Sequence, residues 1–357
     1  MIKKIPLIIF FFLIHISGCS FQETLNMQSF SYWDYPGQIN WLLLPGFHLE
    51  HLVLTKFYST NLERPQFWEN THCVGNSFEY NLYDNRPMVM DSIVAQLSGS
   101  KNIIKACPQS KEFTPLWHPS YKGHKIALLE IAPGMTSSNT ISLTKLSNCP
   151  EFSKFDSVIY FKMDPNIFHS KGPKIEEKVE TFNSQQKEAI SAKSYFKTGK
   201  VYYDSSCQGS TSNLELCNNS VLQNIEFIHH YLKRNEEQFI FIIIDYRYLM
   251  ALEHQQIETM ASILLNYGPL FESIQQQASR YNSSLSIVTG PNPLIFPWEY
   301  NVSKKNLIFS TKDQTTKAFL SPVFVKGARA ENFCGVYDQS EIVHRFLLKN
   351  NKDKLLR

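Results

Sequence analysis

The sequence has little that would commit it to nucleic acid. Lys and Arg number 35 against 32 Asp and Glu in 357 residues, and no basic run is long enough to follow a phosphate backbone, which excludes that class of partner. No C-x-x-C pair occurs, so a zinc knuckle has no support. There is no internal repeat and no low-complexity stretch, which excludes solenoids and compositionally disordered chains. Charged residues are 19% of the chain and hydrophobic ones 43%. That is enough apolar side chain to bury a large core, as one big α/β domain or two smaller ones.

What is present begins with an address. Lys3 and Lys4 precede an apolar run from Ile5 to Ile16 that is too short to span a bilayer as a mature helix. Ile16-Ser17-Gly18-Cys19 is similar to a bacterial lipobox. In that reading residues 1–18 are a lipoprotein signal peptide, Cys19 carries acyl chains such as palmitate, and Ser20 favours the outer membrane, facing the periplasm. Several acyl chains on one terminus anchor stably, since each buried methylene contributes about 0.8 kcal/mol. Residues 19–38, polar and turn-rich, are then a tether. Besides Cys19 the chain has Cys73, Cys107, Cys149, Cys207, Cys217 and Cys334. An even count in an exported chain favours disulfides. Cys207 and Cys217, which close a short Ser, Gly and Asn loop, are the expected pair; the other four can pair in three ways.

Along the chain, apolar runs alternate with helical spacing. Ile39 to Leu44, stopped by Pro45-Gly46, reads as a first buried strand, and His48 to Tyr58 as a helix after it. Asp91 or Ser92 is placed to cap a short helix that Gly99 ends. Ile126 to Ala132, Ser157 to Phe161, Gln238 to Tyr246, Ser284 to Thr289 and Asn306 to Ser310 are strand candidates. Val221 to Lys233 and Ile257 to Tyr281 have helical periodicity. Residues 165–222 are polar and read as an inserted excursion, and 350–357 as a polar tail. The alternation supports one domain over 39–349, a three-layer α/β/α fold with a mostly parallel central sheet whose ligands bind at the carboxyl ends of the strands.

Near the C-terminus, Pro322-Val323-Phe324-Val325 leads into Lys326-Gly327-Ala328-Arg329-Ala330-Glu331-Asn332-Phe333-Cys334-Gly335-Val336-Tyr337, and then into an amphipathic stretch from Glu341 to Leu348. A valine-rich strand followed by Gly-x-x-Ala-x-Asn-x-x-Gly-x-Tyr resembles the closing motif of the alkaline phosphatase family. Asp91-Ser92 and the following Gly99-Ser100-Lys101 resemble that family's nucleophile helix and its Gly-x-Lys ending. The resemblance implies an alkaline-phosphatase-like fold, a serine nucleophile at Ser92 beside Asp91, and two zinc ions with magnesium near them. Such metals make the alkoxide and hold both oxygens of an in-line phosphoryl displacement.

The ligand positions that the resemblance implies are mostly lost. The family's first-strand Asp falls on Pro45. Its strand-terminal Glu, and the Asp and His five and nine residues later, fall on Asp245, Met250 and His254. Its Asp-His pair falls on Pro291 and Asn292, and its last His on Thr316. Only Asp245 and His254 keep a donor suited to these cations, where zinc needs three or four protein ligands. A substitute Ser92–His–Asp triad using His48, His51 or His72 has no G-x-S-x-G elbow to support it. His229 and His230, adjacent in sequence, point apart on a helix.

The expectation is therefore a lipid-anchored envelope protein, a non-catalytic pseudophosphatase acting in binding or scaffolding. No cofactor is expected, and the partner is an envelope protein or small ligand, with a homodimer as a further expectation of the resemblance. The alternative is a divergent metal-dependent phosphomonoesterase or phosphodiesterase using Ser92, zinc and magnesium, with ligands drawn from elsewhere, Asp313 among them.

Overall fold

The computed structural model describes residues 36–58, 67–79, 88–99, 124–132, 158–163, 180–182, 196–204, 214–277, 284–295, 298–301, 306–309 and 316–347. Cys19 and the signal, Cys107, Cys149, Cys207, Ser100-Lys101, Asp313 and the polar tail lie outside these residues.

Ten strands form one sheet: β1 (Gln38–Leu43), β2 (Cys73–Phe78), β3 (Lys125–Ile131), β4 (Val158–Met163), β5 (Glu180–Phe182), β6 (Lys200–Asp204), β7 (Phe239–Asp245), β8 (Ser284–Thr289), and, after four short strands outside this sheet, β13 (Leu320–Gly327) and β14 (Gly335–Asp338). Their order is β14-β2-β13-β8-β1-β7-β3-β4-β6-β5. Only β13 runs against its neighbours β2 and β8; the other pairings are parallel. The four short strands make two small ribbons, β9 (Leu294–Ile295) with β12 (Thr316–Lys317) and β10 (Trp298–Asn301) with β11 (Asn306–Phe309). The helices are α1 (Leu49–Tyr58), α2 (Val89–Ser98), α3 (Leu214–Asn235), α4 (Tyr246–Glu253), α5 (Ile257–Gln276) and α6 (Ile342–Leu347).

The central strands are apolar along their whole length because both faces are covered. All residues of β1, β7 and β8 are buried. Two hydrogen bonds from β8 show the layering. Ser286 Oγ donates to Gln275 of α5 at 2.9 Å, and Thr289 Oγ1 donates to Gln96 of α2 at 2.8 Å. Residues three apart on a strand point to opposite faces, so α5 and α2 lie on opposite sides of the sheet. None of the described helices is long and apolar enough to cross a membrane.

Several expectations need adjustment. Residues 165–222 are not simply an excursion: Glu180–Phe182 and Lys200–Asp204 are strands of the central sheet, and α3 already begins at Leu214. Polar composition hid them because β5 is a sheet edge and needs no long apolar run. Asn306–Phe309 belongs to a ribbon and not to the main sheet. The first helix of the nucleophile motif starts at Val89, so neither Asp91 nor Ser92 is its cap. Met88 holds the cap position, and Asp91, at the third helical position, accepts its backbone N–H at 3.1 Å. Gly99 does end the helix, with φ of 70° and its N–H on Ala95 O. Among the described cysteines, Cys73 and Cys334 form a disulfide with Cα atoms 5.4 Å apart.

Candidate functional site

The topology brings the expected positions to one edge of the sheet. Leu43, the last residue of β1, is in register with Ile244 and Thr289. Beyond it Leu44 N–H donates to Thr289 O, Gly46 N–H to Pro291 O, and Leu294 N–H to Gly46 O, at 2.8–2.9 Å. Pro45, Asp245 and the Thr289-Gly290-Pro291-Asn292 turn thus gather at the carboxyl ends of β1, β7 and β8, where open α/β sheets place their ligands.

Apolar side chains fill that edge. Gly46 has φ of +90°, and a Cβ there would lie 2.5 Å from Leu252 Cδ1, with Leu249 and Leu294 close behind. A Cβ on Gly290 would strike Phe47 O at 2.2 Å. Phe47 itself is fully buried, with Trp68, Tyr248 and Phe324 rings 5.8–6.0 Å away. The Pro45-Gly46 turn and the Gly290-Pro291 turn are therefore clamped by leucines and aromatics.

Asp245 is fully buried at the end of β7 and caps α4. Its Oδ1 accepts Arg247 N–H at 3.0 Å and Arg247 Nε at 2.9 Å. Its Oδ2 accepts Arg247 Nη2 at 2.6 Å and Tyr267 Oη at 2.7 Å. A carboxylate has about four lone-pair sites, and all are in use. Burial works against the Arg247 charge, but Asp245 more than offsets it and raises the guanidinium above its ordinary value. An internal guanidinium thus stands where the resemblance called for a metal.

A second buried network surrounds Ser92. Trp41 Nε1 donates to Thr289 Oγ1 at 3.1 Å, Thr289 Oγ1 to Gln96 Oε1 at 2.8 Å, and Gln96 Nε2 to Glu79 Oε1 at 3.2 Å. Asn292 N–H donates to Glu79 Oε2 at 3.2 Å. Ser92 Oγ is buried without a hydrogen bond of ordinary geometry, yet lies close enough to Glu79 to favour its charged form. Burial dominates all the same, and pushes Glu79 from the ordinary 4.5 to about 7. Glu79 was not legible as a site residue. It follows an outward-inward strand broken by Gly75 and Asn76, and only the fold brings it to α2.

The other candidates have varied surroundings. His254 is exposed at the end of α4, and Met250 is buried. Asn292 is buried with φ of 54°. Thr316 pairs with Ile295 in β12. His51 Nδ1 accepts His48 N–H at 3.2 Å and lies 2.7 Å from Tyr248 Oη; burial lowers its pKa to about 3 and keeps it neutral. His72 Nδ1 accepts Gly327 N–H at 3.2 Å, at the opposite end of the sheet. His229 is buried and His230 exposed on α3. Among the described residues no three His, Cys, Asp or Glu side chains form a cluster that could hold a metal. At the positions the resemblance implies, the described side chains do not fit zinc or magnesium: two prolines and a methionine offer no hard donor, and the Asp245 carboxylate is saturated.

No family model matches the chain, and no curated protein matches it. Solved structures do. The alkaline phosphatase of the Antarctic bacterium TAB5 superposes with a TM-score of 0.63 at 14% identity, over 88% of this chain and 98% of that one. A cold-active alkaline phosphatase from a psychrophilic Shewanella gives 0.63 at 11%, over 87% and 98%. The Thermus thermophilus alkaline phosphatase gives 0.61 at 9%, over 91% and 93%. These likenesses establish the fold.

Two outcomes follow from the geometry. Arg247→Met strands a buried charge and lowers stability by about 3–5 kcal/mol in urea denaturation, whereas Asp245→Asn combined with Arg247→Met recovers most of that loss. Glu79 is protonated in both states below its unfolded value of 4.5 and makes no difference there. As pH rises towards about 7 the unfolded chain loses its proton first, and stability falls. The full loss, reached above that pH, is about 3 kcal/mol. His51 and His229, each lowered to about 3 by burial, act in the opposite sense as pH falls. The stability of Glu79→Gln relative to the natural chain therefore rises by about 3 kcal/mol between pH 4.5 and 8, and a flat difference rejects the assignment.

Proposed function

We propose, from the premise that this chain has an alkaline-phosphatase-like fold, that it is a non-catalytic member of that architecture, acting in binding or scaffolding and taking no metal cofactor. The observation that carries this reading is the saturated Asp245 carboxylate, held by Arg247 and Tyr267 inside the sheet edge. The clamped Pro45-Gly46 and Gly290-Pro291 turns support it, since a substrate phosphate would have to displace Leu249, Leu252, Leu294 and Phe47. Forcing extra volume into a well-packed region of this kind costs about 1–3 kcal/mol. Binding then involves an envelope protein or a small ligand at the surface, not at the old centre.

A hydrolase reading has one observation in its favour, the carboxyl of Glu79 beside the Ser92 hydroxyl. The two readings part on a direct assay. Purified protein, dialysed against buffer containing zinc and magnesium, is expected to retain less than one equivalent of either and to leave a phosphomonoester unturned. Stoichiometric zinc with turnover abolished by Ser92→Ala overturns the non-catalytic reading.

Placement in the envelope is part of the same proposal. The lipobox-like Ile16-Ser17-Gly18-Cys19 motif supports a chain anchored through acylated Cys19, in the outer membrane and facing the periplasm. Metabolic labelling with a palmitate analogue is expected to mark the natural chain and not Cys19→Ser; equal labelling of both rejects the anchor.

A further inference from the structure

The first strand carries polar side chains where its neighbours are apolar. Both faces of β1 are covered, yet Gln38 and Asn40 alternate with Ile39 and Trp41, and all four are buried. Gln38 stands in register with Phe239 of β7 on one side and Ser284 of β8 on the other; Asn40 stands between Phe241 and Ser286. Residues two apart on a strand share a face, and Ser286 is bonded to Gln275 of α5. These side chains therefore lie together under α5, at the amino end of the sheet, away from the Asp245 and Ser92 edge.

Gln275 forms the roof and is itself fixed. Its Oε1 accepts Ser286 Oγ–H at 2.9 Å, and its Nε2 donates to Ser284 O at 3.4 Å. Gly327 leaves room for it: φ there is +112°, and a Cβ would lie 2.8 Å from Gln275 Nε2 and 2.1 Å from Ser284 O. Beneath this roof four buried atoms have no hydrogen-bond partner among the described residues: Gln38 Nε2, Asn40 Nδ2, Asn40 Oδ1 and Ser284 Oγ. Gln38 is 1% exposed, Asn40 0% and Ser284 4%. Amides and hydroxyls left unpaired in an interior are costly, and native proteins pair nearly all of them.

We propose that these residues form an internal hydration site, which holds at least one ordered water between β1, β8 and α5. Hydrogen-bonding chemistry selects that occupant. An amide presents donors and an acceptor, and a hydroxyl presents both, so the ligand must give and take hydrogen bonds as water does. A buried water needs two to four polar partners, and Gln38, Asn40 and Ser284 supply them. Phe239 and Phe241, fully buried on the β7 side, supply none.

Charge and size exclude the other candidates. No side chain of the cluster is ionisable, and Lys326, in register with Ser286, already has its amine on Glu272 at 2.8 Å. An anion would find no free cation there, and calcium or magnesium no carboxylate among the roughly six oxygens each takes. Neighbouring strands lie about 5 Å apart and alternate residues about 7 Å. The frame of Gln38, Asn40, Ser284 and Ser286 thus spans little more than a water bonded on two sides at about 2.8 Å each. Such a water ties the first strand to α5 through bonds that the side chains do not make directly.

A crystal structure of the natural chain is expected to show ordered water about 3 Å from Asn40 and from Ser284 or Gln38. Water-deuteron relaxation dispersion on the full chain counts waters held for longer than the protein tumbles. Asn40→Leu is expected to lose at least one of them, because the larger apolar side chain takes up the water's space. Gln38→Leu combined with Ser284→Ala, which removes the other two partners, gives the same loss should the first variant fold poorly. The proposal is overturned if the natural chain and the variants hold equal numbers. It is equally overturned if Asn40 in the crystal bonds directly to Gln38 or Ser284 with no density between them. Density larger than water, held by the same atoms, would assign the site to a neutral organic molecule and likewise sink the proposal.

Discussion

The bond between Asp245 and Arg247 is the constraint on which the carboxyl edge of this sheet depends. A lone carboxylate at the end of a buried parallel strand is untenable, because desolvation without a partner costs several kcal/mol. Here the cation is covalently part of the chain, two residues away on the first turn of α4, and a phenol from α5 completes the shell. With that charge neutralised from within, the Pro45-Gly46 and Gly290-Pro291 turns close on leucine and phenylalanine.

The Ser92 side of the edge has reached neutrality by another route. Glu79 takes neutral donors from Gln96 and from the Asn292 backbone. A carboxyl in that setting favours its protonated form. Both halves of the edge are thus built from groups that balance each other at short range. The polar chain from Trp41 through Thr289 and Gln96 to Glu79 also fixes α2 against β1 and β8, so it carries a structural load that a catalytic serine would not require.

Much of the architecture was legible because buried parallel strands are nearly pure apolar runs. Phe239-Ile240-Phe241-Ile242-Ile243-Ile244 admits no other reading, and Gly327 and Gly99 mark their turns by backbone need, with φ of 112° and 70°. The edges were harder. β2 alternates through Gly75 and Asn76, β5 and β6 lie in polar sequence, and β14 is only four residues long. Counting spacings put Pro45, Asp245, Pro291 and Asn292 at the positions the resemblance implies, and the structure brings these four to one edge. The partners of these residues could not be read that way, because Glu79 reaches Asn292 across 213 residues and Tyr267 reaches Asp245 from another helix. Arg247 had a usable signal: an arginine two residues beyond a strand-terminal aspartate, at a helix start, can fold back on that carboxylate.

The central claim is that no divalent cation has a place beside Asp245 and Ser92. A crystal of the natural chain soaked in zinc, with anomalous differences recorded at the zinc absorption edge, tests it most directly. The account predicts no peak within coordination distance of Asp245 or Ser92, with the Arg247 guanidinium still on the carboxylate. A pair of peaks there, with Arg247 swung away, would contradict it.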